Sequence, residues 1–258
     1  MTGFRRILTI AAAGLLAQPL GAATPPPAPP APPPPPPASS IQAPAKAHFA
    51  LYDAIFAGID MKVLAHNAAV SIAVEVIKKD PTLVRLQQRR PHLSDRIAGA
   101  IEPYLALWME RVKAKRRGEG AAIMAHHLTA AEAQRTADFY ASPLGQRIMR
   151  TMAGNLSFDG MLQAQQEPQS MTRSEGQQRD IKRAVTTSMP GFEQSLTPQD
   201  RKQLAALADD PAFEKVGAAS AEFMRQPDPP FSTYATEVEM SAFRAALDKV
   251  VTEEMAAS

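Results

Sequence analysis

The sequence predicts an all-α fold, and three observations lead there. Apolar residues recur at steps of three and four, cap residues followed by proline or an acid punctuate them, and no stretch alternates β-branched and polar residues between turn signals. The expected architecture is a bundle of about eight to ten short helices in two related helix–turn–helix lobes, behind a disordered N-terminal signal and proline stalk. The expected boundaries are 1–23 for the signal, 24–44 for the linker, 45–160 for the first lobe and 161–258 for the second.

The N-terminus reads in three parts. Arg5 and Arg6 form a short positive region, Ile7 to Ala17 is uncharged and mostly apolar, and Gly21-Ala22-Ala23 supplies small residues behind Pro19. The apolar run falls short of the roughly 20 residues a membrane-spanning helix requires. The reading is a secretory signal cut after Ala23, or after Ala22, which places the mature chain in the periplasm or outside the cell with no transmembrane span. The arginine pair hints at the twin-arginine route, but Thr9 follows Leu8 where a second apolar residue is expected, so the general route is preferred. Thr24 to Pro37 is almost wholly proline and alanine. Proline fixes φ and lacks an amide hydrogen, so this stretch reads as a polyproline II tether of about 40 Å.

Composition narrows the function classes. With no cysteine, disulfides, thiolate metal sites, cysteine nucleophiles and a lipidated cysteine anchor are all excluded. The chain holds 28 basic and 26 acidic residues, and losing Arg5 and Arg6 leaves it neutral, which argues against a nucleic-acid partner. The charge is unevenly distributed. Between Lys78 and Arg117 eleven bases face four acids, whereas from Gly191 onward twelve acids face six bases. Such polarity suits an anionic surface, or an attraction between the two parts of the chain.

Along the body, Asp60 is placed to cap a helix from Met61 to about Lys79, with Val63, Ala69, Val70, Val74 and Ile77 as its apolar stripe. Asp80-Pro81 and Arg90-Pro91 punctuate the chain, since proline suits a first turn and disfavours helix in the residue before it. Ile97, Ile101, Leu105, Trp108 and Val112 share one helical face. Pro103 predicts a kink or break within that face, and Gly118-Glu119-Gly120 a weakened helix end.

Thr129 and Glu132 form a capping box, and Ser142-Pro143 ends that helix and starts the next, with Gly145 in its first turn leaving room for a close neighbour. The geometry recurs 68 residues later: Thr197 and Asp200 stand where Thr129 and Glu132 stood, Asp210-Pro211 where Ser142-Pro143 stood, and Lys215 where Arg147 stood. This reads as a diverged internal repeat of a helix–tight turn–helix unit. Phe213 replaces the glycine, so the second copy is the looser one.

The string Leu128-Thr129, Glu132 and Phe139-Tyr140-Ala141-Ser142-Pro143-Leu144-Gly145-Gln146 resembles a family of exported bacterial proteins catalogued only as a domain of unknown function. The resemblance is specific over these residues and looser from Phe49 to Asn155. It implies a helical, exported protein, mostly of Gram-negative bacteria, and brings no chemistry.

Candidate chemistry is sparse. His126 and His127 are adjacent, so on a helix they diverge by about 100° and cannot readily clamp one metal. Ser142 lacks a nucleophile elbow and is already explained as a cap. Glu132 and Asp138 fall on different helical faces. No cofactor motif is present. The binding candidates are the basic run Lys113, Lys115, Arg116 and Arg117 beside Trp108, suited to anionic lipid, and Phe139 and Tyr140, suited to a groove. Thr129, Glu132, Ser142, Pro143, Gly145, Thr197, Asp210 and Pro211 are expected to build the scaffold. The expectation is a non-enzymatic envelope protein of the periplasm that binds a protein, peptide or lipid. Its alternatives are a hydrolase or lyase with a site assembled only in three dimensions, and an anionic-surface binder using its basic helix.

Overall fold

Asp60, Asp80, Thr129, Ser142, Thr197 and Asp210 each accept the amide of a residue two or three positions on, and each starts a helix. The computed structural model describes residues 43–167, 169–226 and 233–256. The expected signal, proline tether and cut near Ala23 fall outside the described residues. Eleven α-helices and no strands occur among the described residues. They are α1 (Lys46–Ala57), α2 (Met61–Lys79), α3 (Pro81–Arg89), α4 (Leu93–His127), α5 (Ala130–Ala141), α6 (Pro143–Gly154), α7 (Asp159–Gln166), α8 (Arg173–Ser195), α9 (Pro198–Ala208), α10 (Pro211–Arg225) and α11 (Glu237–Ala256).

The all-α reading holds, with more helices than expected and one that is far from short. α4 has 35 residues, which at 1.5 Å per residue is about 52 Å. It is the axis on which α2, α1, α11 and α10 pack. A contiguous apolar cluster extends along it from Leu51 in α1 to Val250 in α11. Ile97, Ile101, Leu105, Trp108 and Val112 are all buried, as their spacing required.

A break at Pro103 and a weakened helix end at Gly118-Glu119-Gly120 were expected, and neither is found. α4 is continuous through Pro103. The proline faces solvent, and so does Gly99, four residues back, whose carbonyl loses an amide partner but stays within reach of water. Nor does α4 weaken at Gly118-Glu119-Gly120. Gly120 is buried under the Tyr52 ring, and a β-carbon there would lie 2.6 Å from Tyr52 Cδ2. The glycine marks a helix crossing rather than a helix end.

The apolar stripe of α2 is also rotated from the one its valines suggest. Val63 is exposed, whereas Leu64, Ala65, Ala68, Ala69 and Ala73 are buried. Small side chains let α2 approach α4 closely, so alanine rather than valine marks the inner face. A similar close approach joins α7 to α8, where a β-carbon on Gly160 would lie 2.4 Å from the Gly176 carbonyl oxygen. Buried Asp180 of α8 accepts the Gly160 and Met161 amides at 2.8 and 3.0 Å, capping α7 from outside. Burial raises the Asp180 pKa against the lowering effect of those bonds.

No single described helix is long and apolar enough to cross a membrane. α1 and α2 pass that test only as a pair, and they bend by 60° at their junction.

Candidate functional site

The region carrying the sequence motif is a junction of helical hairpins. In the first, α5–α6, the Thr129 amide donates to Glu132 Oε2 at 2.8 Å and the Glu132 amide donates to Thr129 Oγ1 at 3.3 Å. Ser142 Oγ donates to the Phe139 carbonyl at 2.6 Å and accepts the Gly145 amide at 3.1 Å. Its hydroxyl is thus committed to closing one helix and opening the next. Gly145 faces the end of α5 so closely that a β-carbon would sit 2.2 Å from the Phe139 carbonyl oxygen and 2.7 Å from Tyr140 Cα. Gln146 then donates to the Tyr140 carbonyl at 2.6 Å and the Ala54 carbonyl at 3.0 Å. One amide thereby satisfies a final carbonyl of α5 and ties the hairpin to α1.

The second hairpin, α9–α10, is capped in a similar way. The Thr197 amide donates to Asp200 at 3.0 Å and the Asp200 amide to Thr197 Oγ1 at 3.1 Å, while Asp210 accepts the Ala212 amide at 2.9 Å. The hairpins dock by exchanging cations. Lys215 of the second reaches Glu132 of the first at 2.5 Å, and Arg147 of the first reaches Asp200 of the second at 2.6 Å. Phe213 fills the apolar seam, its ring edge-on to Phe139 with centroids 5.3 Å apart. The Lys215 ammonium and the Thr129 amide and hydroxyl together lower the Glu132 pKa to about 2. Arg147, with the Thr197 amide, lowers that of Asp200.

Phe139 and Tyr140 are interior anchors, at 4% and 0% exposure, and line no open groove. The Tyr140 hydroxyl has no hydrogen-bond partner among the described residues, and burial raises its pKa. Trp108 is buried beneath Phe243 of α11, with ring centroids 5.4 Å apart.

The basic run is paired within the molecule. Arg117 forms a two-pronged contact with Asp53 at 2.7 and 2.6 Å. Arg116 is buried, grips Glu119 at 2.8 and 3.0 Å and stacks 4.0 Å above the Phe223 ring. Lys115 donates to the Thr233 carbonyl, and Lys113 lies 3.5 Å from Glu110. Arg117, Lys115 and the stacked face of Arg116 therefore hold α4 to its neighbours, while the ion pairs of Lys113 and Arg116 lie within α4. Sequence spacing could not reveal that, because Asp53, Phe223 and Thr233 lie far away in the chain.

The histidines have partners that sequence reasoning missed. His127 Nε2 lies 2.6 Å from Glu222 Oε2 of α10, and His126 Nδ1 lies 3.6 Å from Glu222 Oε1. Burial works against ionisation of Glu222, but contacts with His127 and His126 outweigh it and lower the pKa. No group of three metal-binding side chains is suitably placed among the described residues. His48, buried in α1, accepts the Ala45 amide at Nδ1 and so presents its Nε2 hydrogen to the Leu128 carbonyl, each at 2.9 Å. Between α1, α4 and α10 lies an apolar crevice lined by Tyr52, Phe56, Gly120, Met124 and Phe223, with about 20 Å³ of room for water-sized molecules.

The fold and this junction define an all-helical protein built on capped, docked hairpins. Residues 117–173 match a family described as uncharacterized proteins conserved in bacteria (DUF2059). The match covers the end of α4, the α5–α6 hairpin and α7, and stops at the start of α8. Neither the curated proteins nor the solved structures contain a match to the chain.

Proposed function

We propose that this chain is an exported, non-enzymatic protein of the cell envelope that works as an interaction module in the periplasm. The observation that carries the reading is what the motif residues do. Thr129, Glu132, Phe139, Ser142, Gly145 and Gln146 cap, close or dock a helical hairpin, which packs mainly on α1 and is tied by two ion pairs and an edge-on ring contact to a second capped hairpin. A motif built for helix docking suits recognition of helices more than bond-making. Within this proposal the α5–α6 and α9–α10 hairpins are diverged copies of one unit, which accounts for two ion pairs that exchange donor and acceptor between copies. Export rests on the basic, apolar and small-residue order of the first 23 residues.

A second reading is favoured by the crevice between α1, α4 and α10. Its lining is carbon-rich, so an apolar peptide side chain or the end of a lipid chain is the ligand class it suits. Native mass spectrometry of the mature chain, purified undenatured from the periplasm, tests both readings. A chain cut near Ala23 with a bound protein supports the interaction module, and a bound lipid moves the function to the crevice. An uncut cytoplasmic chain sinks the envelope assignment.

A further inference from the structure

The C-terminal helix α11 lies along α4 as a clasp with a charge pair at each end. Near one end Arg111 donates from both terminal guanidinium nitrogens to Glu239 at 2.7 Å and reaches the Tyr234 carbonyl at 3.0 Å. Near the other, Arg96 binds Glu254, and Glu253 at 2.7 Å, with Arg90 3.9 Å from Glu254. The anchors are fifteen positions apart on α4, 96 and 111, and fifteen apart on α11, 239 and 254. Equal spacing in opposite chain directions means two antiparallel helices in register over about 22 Å. Between the anchors Phe243 sits against Trp108 at 5.4 Å and edge-on to Tyr104 at 6.0 Å.

The clasp is shallow. Only Val250 and Glu254 of α11 are buried, while Val238 and Met255 are 78% and 49% exposed. Arg96 and Arg111 are themselves about two-fifths exposed, at 44% and 36% of their side chains. Their carboxylate partners Glu254 and Glu239 are more shielded, at 10% and 21%, so the pairs are half-exposed, contribute modestly one by one and are partly screened by salt. A helix held by half-buried apolar contacts and screenable charges belongs to the part of a fold that opens first.

We propose that this face of α4 is a docking groove for an acidic amphipathic helix of another protein, and that α11 is its built-in, displaceable occupant. The groove has an aromatic floor, Tyr104 and Trp108, with a guanidinium at each end. The partner it fits carries carboxylates about four turns apart with a large apolar residue between them, which is the pattern of α11 itself. Charge supplies the complementarity, since α4 lies largely in the basic segment and α11 in the acidic one. This deepens the interaction-module reading by naming a partner class, and rests on it.

The chain contains a single tryptophan, so Trp108 reports on the groove alone. In the full chain, Glu239→Arg with Glu254→Arg should release α11. The expected result is red-shifted Trp108 emission and acrylamide quenching raised about twofold, with the helical body still melting cooperatively. A synthetic peptide of residues 237–256 lacks tryptophan, and adding it should restore the blue emission saturably and lose that effect as salt rises. Trp108 remaining shielded in the charge-reversed chain, or no recovery with the peptide, overturns the proposal. So does a concentration-dependent dimer in which α11 exchanges between copies, because the groove then serves a second copy. If the double variant fails to fold, the labelled peptide is titrated into the wild-type chain, where Arg111→Ala should weaken binding about fivefold; no rise in anisotropy overturns the proposal. Neither assay depends on export, so a cytoplasmic chain would sink the envelope reading and leave the groove measurable.

Discussion

Glu132 and Lys215 meet at 2.5 Å across the seam between two hairpins, and 68 positions further along the chain from Glu132 the roles reverse, with Asp200 meeting Arg147 at 2.6 Å. Each acid also closes its own capping box, so one carboxylate both starts a helix and receives the opposite hairpin's cation. An exchange of this kind is what a two-fold interface produces, with residue i meeting j and j meeting i.

Two double-mutant cycles measure the exchange. With alanine at 132 and 215, and separately at 147 and 200, urea unfolding should give a coupling of about 0.5–1 kcal/mol for each pair. The acids are shielded, at 15% and 16% side-chain exposure, and the cations are not, at 42% and 38%. That places both pairs above fully exposed ones and well below buried ones. Coupling at one pair and none at the other would contradict the reciprocal design.

Acid should weaken the fold through the same carboxylates. Glu132 is held at about 2 in the folded state, from an ordinary value of 4.5, and the Asp200 pKa is also lowered. A depressed folded pKa means the stabilisation is fully present above about 4.5 and is lost as pH falls towards 2. Asp180 acts in the opposite sense, because its raised pKa favours the folded state on acidification. Urea midpoints measured from pH 6 to 3 should fall in the wild type and fall less steeply in Glu132→Gln. A slope unchanged by that substitution would show that Glu132 does not link protonation to folding.

The Tyr140 hydroxyl offers a sharper contrast. It is buried without a partner among the described residues, so Tyr140→Phe removes an unsatisfied polar group and keeps the ring packed against Phe139 and Phe213. Thermal unfolding should show no loss, and a gain of up to about 1 kcal/mol. If a partner protein is found, weaker binding by this equally stable variant would assign the hydroxyl to recognition.

How much of this was legible in the sequence follows from the range of each interaction. Caps and proline switches act over two or three residues, so Asp60, Thr129, Ser142, Thr197 and Asp210 could be read directly, and all start helices where expected. Thr172 and Glu175 form another capping box of the same kind, which the same rule would have found. Helix faces were less legible, because α2 turns its alanines inward and the larger Val63 outward. The destinations of the charges were hidden, since Arg117 meets Asp53, Arg111 meets Glu239 and His127 meets Glu222 only after folding. The uneven charge along the chain did foreshadow an attraction between its parts, and the two arginine anchors of α11 are where it is realised.

Gly145 and Gly118 separate a required glycine from a tolerated one. A β-carbon at 145 would meet backbone, 2.2 Å from the Phe139 carbonyl oxygen and 2.7 Å from Tyr140 Cα, and backbone cannot swing aside as a flexible side chain can. Gly145→Ala should therefore cost about 3 kcal/mol by forcing α6 away from the end of α5. Gly118 is exposed in the middle of α4 with nothing within 4 Å of a β-carbon. Gly118→Ala should stabilise by about 0.5–1 kcal/mol, because alanine loses less backbone freedom on entering a helix. Urea unfolding of the two variants reads the difference directly. Displacement of α6 would also carry Arg147 away from Asp200 and Gln146 from Ala54. Gly145→Ala should thus lower the measured coupling at the 147–200 pair as well as global stability, whereas Gly118→Ala should leave that coupling intact. A Gly145→Ala chain as stable as wild type would show that the hairpin can open at its turn, and that its tight geometry is not what positions the seam.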